Sequence, residues 1–104
     1  MDDSELIARI AASTLRRRGI LWNPGTEQEQ PAREAAAAAI GIIRKRAGNM
    51  KLGFADGDDY DLAVMGTWYL MDGRRSEFLV EYREELNALR QMAAVEAMEV
   101  ADES

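Results

Sequence analysis

The segment LAVMGTWYLM, residues 62–71, constrains the fold most because it is apolar on nearly every side. A surface helix carries an apolar stripe on one face only, whereas a helix surrounded by other helices is apolar all round. Asp58 and Asp59 precede the segment, where carboxylates favour a helix N-terminus, and Gly73 follows at a position typical of a helix end. The sequence therefore predicts a helix over about residues 59–71, at the centre of a helical bundle.

Three further segments show the spacing of apolar residues that is typical of helices. The first covers about residues 4–18, with an arginine run in its last turn that suits the helix dipole. The second runs from residue 26 or 31 to residue 47, with a face of small residues that indicates tight packing. The third covers about residues 77–99, with Ser76 as a candidate N-cap. Their stripes consist of Ile7, Ile10, Ala11 and Leu15; of Ala36, Ile40, Ile43 and Ala47; and of Phe78, Tyr82, Leu86, Leu89 and Ala93.

These segments predict an all-α fold, a small antiparallel bundle of about four helices. At 104 residues the chain is expected to form one domain over residues 1–104. The apolar stripe of the last helix fades toward the end of the chain. We therefore expect residues 1–94 to form the bundle and residues 95–104 to form a flexible tail.

The connection between the second and third helices is predicted to be an extended loop. Met50, Leu52 and Phe54 alternate there with Lys51 and Gly53, and this alternation has no helical period. Three apolar side chains are costly to leave in water, so they either pack onto the core or meet a partner. Both alternatives stay open. If they meet a partner, Phe54→Asp should weaken assembly more than it weakens folding.

Composition narrows the possible functions. The net charge of −6 argues against non-specific binding to nucleic-acid phosphates. The chain has neither Cys nor His, which excludes disulfides, thiol chemistry, His-based proton transfer and the usual zinc sites. The acidic run DGDDYD lacks the spacing of a calcium loop, so helix capping is favoured over a two-carboxylate magnesium site. The sequence predicts no enzyme and no cofactor.

The beginning of the chain, MDDSELIARI, is acidic and does not resemble a secretory signal. The apolar stretches are also far shorter than a bilayer requires. We therefore expect a soluble, intracellular protein without a membrane partner.

The corner WYLMDGRRSEF places Arg74 and Arg75 after an aromatic pair. Such a pair of arginines can stack on bases or on a partner's side chains, but two arginines in an acidic chain are a weak nucleic-acid signal. Helical periodicity assigns Tyr69 to core packing. It leaves Trp68 and the two arginines where a contact between subunits is plausible.

Residues 56–90 resemble the head–tail connector family of tailed bacteriophages. The resemblance consists of an acidic start, a nearly all-apolar helix with an aromatic pair, and then EFLVEYREELNALR. The preceding MKLGF is similar to a short loop that the family has before this pair of helices. The matching positions are Leu62, Met65, Trp68, Tyr69, Phe78, Tyr82, Glu85, Leu86, Leu89 and Arg90.

The resemblance implies a structural virion protein at the head–tail interface, assembled in the host cytoplasm. Members of the family form a ring, usually a dodecamer, under the portal protein. They extend the DNA channel and carry the next tail-side connector or stopper protein, and DNA passes without specific binding. The alternative is a small helical regulatory or adaptor module that binds another protein. The residues predicted to contact partners are Met50, Lys51, Leu52, Phe54, Arg74, Arg75, Met98 and Val100.

Overall fold

The computed structural model describes residues 3–19, 29–55 and 57–103, with side chains up to residue 96. This part of the chain is all-helical, as the sequence predicted, and it contains no strand. Its helices are α1 (Asp3–Arg17), α2 (Glu29–Ala47), α3 (Gly57–Met71), α4 (Arg75–Glu81) and α5 (Arg83–Glu103). None of these helices is both long enough and apolar enough to cross a bilayer.

Helices α2 and α3 lie at the centre of the packing. α2 contacts α1, α3 and α5, and α3 contacts α1, α2 and α4. No residue from position 62 to position 71 is fully exposed, which agrees with the apolar character of this segment on all sides. The predicted stripe of α2 is buried as well: Ala36, Ile40, Ile43 and Ala47 are each at most 3% exposed.

The two central helices approach each other through small residues. Ala39 of α2 is fully buried and faces Gly66 of α3. A Cβ atom at Gly66 would lie 3.3 Å from the Cβ of Ala39 and 3.0 Å from Cζ of Phe78, which α4 contributes to the core. Phe78 therefore occupies the space that a larger residue at position 66 would need.

Glycines end α2 and α3 with the same geometry. Gly48 and Gly73 have φ angles of 68° and 71°, in the left-handed region that costs other residues about 1–2 kcal/mol. At Gly73, the glycine N–H donates to the carbonyl of Leu70, and the N–H of Arg74 donates to the carbonyl of Tyr69. Paired hydrogen bonds of this kind satisfy the last carbonyls of a helix and turn the chain sharply.

The segment predicted as one helix over residues 77–99 forms two helices, α4 and α5. They meet at Tyr82, whose φ and ψ of −106° and 20° depart from helical values. The Tyr82 N–H donates to the carbonyl of Phe78 and the Leu86 N–H donates to the carbonyl of Tyr82, so Tyr82 is hydrogen-bonded to both helices. The chain bends at Tyr82 because the two helices pack on different elements: α4 packs on α3, whereas α5 packs on α2.

Two further boundaries differ from the sequence prediction. The N-cap of α4 is Arg74 and it makes no side-chain hydrogen bond, so Ser76 lies inside the helix and does not cap it. The backbone of α5 is helical to Glu103, beyond the predicted end at residue 99 and through most of the predicted tail. The mobility of residues 95–104 stays a prediction.

Candidate interaction surfaces

The corner between α3 and α4 separates the two arginines that the sequence singled out. Arg74 folds back over Tyr69, with its guanidinium carbon 4.7 Å from the ring centroid. Its Nε donates a hydrogen bond of 2.7 Å to the carboxylate of Glu77, and this bond raises the pKa of Arg74. Arg74 thus interacts with Tyr69 and Glu77 of its own chain. Arg75 is exposed and points to a different surface, beside the end of α2.

The aromatic residues of the corner pack on one another. The ring centroid of Tyr82 lies 5.2 Å from that of Phe78 and 5.8 Å from that of Tyr69. The hydroxyl of Tyr69 donates a hydrogen bond to the carboxylate of Glu81, which raises the pKa of Tyr69 to about 12. Loss of the phenol proton would break this hydrogen bond and place a phenolate next to the Glu81 carboxylate, and two neighbouring anions repel each other. The assignment of Tyr69, Phe78 and Tyr82 to packing is confirmed.

Trp68 joins the ends of α1 and α3. The guanidinium carbon of Arg18 lies 5.3 Å from the Trp68 ring centroid, and Arg18 also forms a 2.9 Å ion pair with Asp72. This hydrogen-bonded pair holds the pKa of Asp72 below its usual range. Arg17 pairs with Asp61 of α3 at 2.7 Å. Two members of the arginine run therefore tie α1 to α3, a role that the sequence did not predict.

The loop after α2 is bound to the rest of the fold by Arg44. The Nε of Arg44 donates to the carbonyl of Leu52 at 2.9 Å, and its other nitrogens donate to the Asp3 carboxylate at 2.8 and 3.0 Å. The same guanidinium lies 5.7 Å from the ring centroid of Phe54. One side chain thus connects the loop, α2 and the start of α1.

Phe54 belongs to the core, which corrects its predicted role in docking. Its side chain is 3% exposed and packs in the hydrophobic core, and its φ is 56°. Leu52 is half-buried against the same core. Met50, at 68% exposure, and the exposed Lys51 are the residues of this loop that stay available to a partner. Of the two alternatives, packing applies to Phe54 and Leu52.

The second half of α5 carries apolar side chains into solvent. Met92 and Val95 are 58% and 54% exposed, and they line a shallow groove with Ala88. Met98 and Val100, the two predicted contact residues farther along, have helical backbone, but their side chains lie outside the described residues. The exposed face of α5 therefore begins before the segment that the sequence proposed.

A basic surface beside Arg75 was not evident from the sequence. Lys45 and Arg46 of α2 and Arg90 of α5 line one groove with Arg75, and Arg83 lies in an adjoining groove. These residues come from three helices, and no motif in the sequence joins them. The only signal was that none of them has an acidic residue three or four positions away on its own helix.

Asp58 and Asp59 lie in the first turn of α3. Because α3 begins at Gly57, both residues lie inside the helix, where carboxylates suit the helix dipole, and neither is the N-cap that the sequence predicted. Within the described residues, no three Asp, Glu, His or Cys side chains converge into a group that could hold a metal ion.

No family model, curated protein or solved structure matches this chain.

Proposed function

We propose that the chain is a head–tail connector subunit of a tailed bacteriophage. In this role copies of the chain form a ring under the portal protein, extend the DNA channel and offer a surface to the next tail-side connector or stopper. The observation that carries the proposal is the pattern of residues over positions 56–90, which resembles that of the connector family. The protein would work at the head–tail interface of the virion.

The packing of the matching residues supports the proposal. Leu62, Phe78 and Leu86 are at most 6% exposed, and Tyr69 and Tyr82 pack against the same core. These five of the residues that carry the resemblance therefore hold α3, α4 and α5 together, as expected of a pattern that specifies a fold. In this proposal α4 and α5 act as one bent fourth helix of a small antiparallel bundle.

Exposed apolar side chains support an assembling protein. Met50, Val80, Met92 and Val95 are each more than half exposed. Apolar groups that are costly to leave in water are typical of surfaces that another chain covers. The net charge of −6 would repel the phosphates of DNA and so let DNA pass along a channel without being held.

The proposal is tested by mixing the full chain with the portal protein encoded in the same genome. Negative-stain microscopy and native mass spectrometry should show rings of this chain on the portal. Val95→Asp should weaken this binding while leaving the thermal unfolding of the free chain unchanged. Ala94→Asp is the matched control, since Ala94 is exposed on the same helix outside the groove. Neither ring nor portal binding by the wild-type chain would refute the connector role.

A further inference from the structure

Five basic side chains share one surface of this acidic protein. Lys45, Arg46, Arg75 and Arg90 line a half-open groove of about 490 Å³. Arg46 and Arg90 also line a second groove of about 210 Å³, together with Arg83. Because two residues belong to both grooves, the grooves are continuous and form one surface across α2, α4 and α5, here called the basic groove.

The cations of the basic groove have no acidic neighbours on their own helices. Side chains three or four residues apart on a helix are neighbours, and ion pairs form at this spacing. At these spacings Arg90 has Leu86, Asn87, Ala93 and Ala94, and the other four cations likewise have no Asp or Glu within their own helices. Asp72, three residues before Arg75, lies outside α4 and pairs with Arg18. Arg33, in contrast, pairs with Glu29 at 3.0 Å, four residues earlier.

Tertiary contacts do not neutralise these cations either. Arg17, Arg18 and Arg44 each pair with a carboxylate that is distant in the sequence. Within the described residues, no ion pair involves any cation of the basic groove, and all five are exposed. A chain with 19 acidic residues and 13 basic ones thus keeps five positive charges together, and none of them is paired with a carboxylate that the structure describes.

Helix stability accounts for only part of this arrangement. Lys45 and Arg46 lie in the last turn of α2, where cations interact favourably with the helix dipole. Arg75 and Arg83 are the first residues of α4 and α5, where the dipole disfavours a cation. Their positions beside the other cations are therefore better explained by an anion that binds from outside.

The apolar rim of the basic groove indicates the kind of anion. Val80 is 70% exposed, and Leu79 and Val80 line the second groove beside Arg46, Arg83 and Arg90. Among the described residues that line the two grooves none is aromatic, so these residues offer no platform for the base stacking that stabilises single-stranded nucleic acid on proteins. The net charge of −6 also opposes the approach of a long polyanion.

We propose that the basic groove binds an acidic segment of a partner protein, in which carboxylates flank an apolar side chain. The carboxylates would form ion pairs with Arg46, Arg75 and Arg90, and the apolar side chain would cover Val80. Arginines are suited to this task because the guanidinium group binds carboxylates with two parallel hydrogen bonds. The groove would bind such a segment whether or not the chain assembles into a ring.

Fluorescence anisotropy with labelled peptides tests the proposal on the full chain. The probe is a peptide of about 12 residues that repeats Glu-Glu-Leu, compared with a Gln-Gln-Leu peptide and a single-stranded oligonucleotide of similar charge. We expect a Kd of about 10–100 µM for the acidic peptide, weaker binding at high salt, and no binding of the Gln-Gln-Leu peptide.

Charge reversal locates the binding site. Arg90→Glu should weaken peptide binding at least about tenfold. Arg16→Glu is the control, with the same charge change at an exposed position of α1, and it should alter binding less than about twofold. Circular dichroism melts show that both variants fold.

Four outcomes would overturn the proposal. The acidic peptide could fail to bind at about 1 mM, or the two reversals could weaken it equally. Tighter binding of the oligonucleotide would assign the groove to nucleic acid. Self-association in sedimentation that Arg90→Glu abolishes would assign it to a second copy of the chain.

Discussion

Gly66 provides the sharpest test of the packing between α2, α3 and α4. Replacing a helical glycine by alanine normally stabilises a protein by about 0.5–1 kcal/mol, because alanine restricts the unfolded chain and favours the helix. At Gly66 the new methyl group would lie 3.0 Å from Cζ of Phe78 and 3.3 Å from the Cβ of Ala39. Both neighbours are fully buried, so neither can move into solvent.

Gly41 is the matched control. It lies inside α2 and is exposed, and a Cβ there meets no atom within 4 Å. Gly41→Ala should therefore stabilise the chain by about 0.5–1 kcal/mol. Gly66→Ala gains the same helix preference but also overpacks the core, at a cost of about 1–3 kcal/mol. The free energies of unfolding of the two variants should thus differ by about 1–3 kcal/mol, with Gly66→Ala less stable.

Chemical denaturation followed by circular dichroism measures this difference. A double-mutant cycle with Phe78→Leu, which removes the Cζ atom, should show a favourable interaction of at least about 0.5 kcal/mol between the two changes. If Gly66→Ala stabilises the chain as much as Gly41→Ala, the close packing of Phe78 against α3 is refuted.

Two other predictions concern the loop and its tie to α1. Phe54→Asp should lower the stability of the free chain by about 3–5 kcal/mol, because it removes a buried ring and buries a carboxylate. Met50→Asp, at an exposed position, should leave the melting temperature nearly unchanged. Equal melting temperatures of the two variants would show that Phe54 is not part of the core. The hydrogen bonds from Arg44 hold the pKa of Asp3 below its usual 3.8. The ionised carboxylate therefore stabilises the fold at higher pH, and this stabilisation is lost as the pH falls through the lowered pKa of the folded state. The difference in melting temperature between the wild type and Asp3→Asn should accordingly be full above about pH 5 and shrink toward zero in stronger acid, and a difference that does not change with pH would contradict this linkage.

The sequence was sufficient where structure is local. Apolar spacing placed the ends of α1, α2 and α3 within three residues of those observed, and the start of α2 lies between the two predicted alternatives. Gly48 and Gly73 marked two helix ends because few other residues tolerate a positive φ. The all-round apolar character of residues 62–71 also indicated a helix with neighbours on every side, because the pattern of apolar residues shows how much of a helix surface is buried.

The tertiary structure determined which elements pack against each apolar residue. Alternation in the loop could not distinguish packing from docking for Phe54, since the answer depends on Arg44 and the core behind it. The bend at Tyr82 arises because α4 and α5 pack on different helices, and the helical pattern runs through it unbroken.

The interaction surfaces show the same difference between local structure and tertiary packing. Arg74 and Arg75 are adjacent in the sequence, yet one is held by Glu77 and the other faces the basic groove. Conversely, Arg46 and Arg90 are 44 positions apart and line the same groove. Helix formation depends on residues a turn apart, which the sequence displays directly. The convergence of charges from separate helices depends on how those helices pack, and only the folded chain determines it.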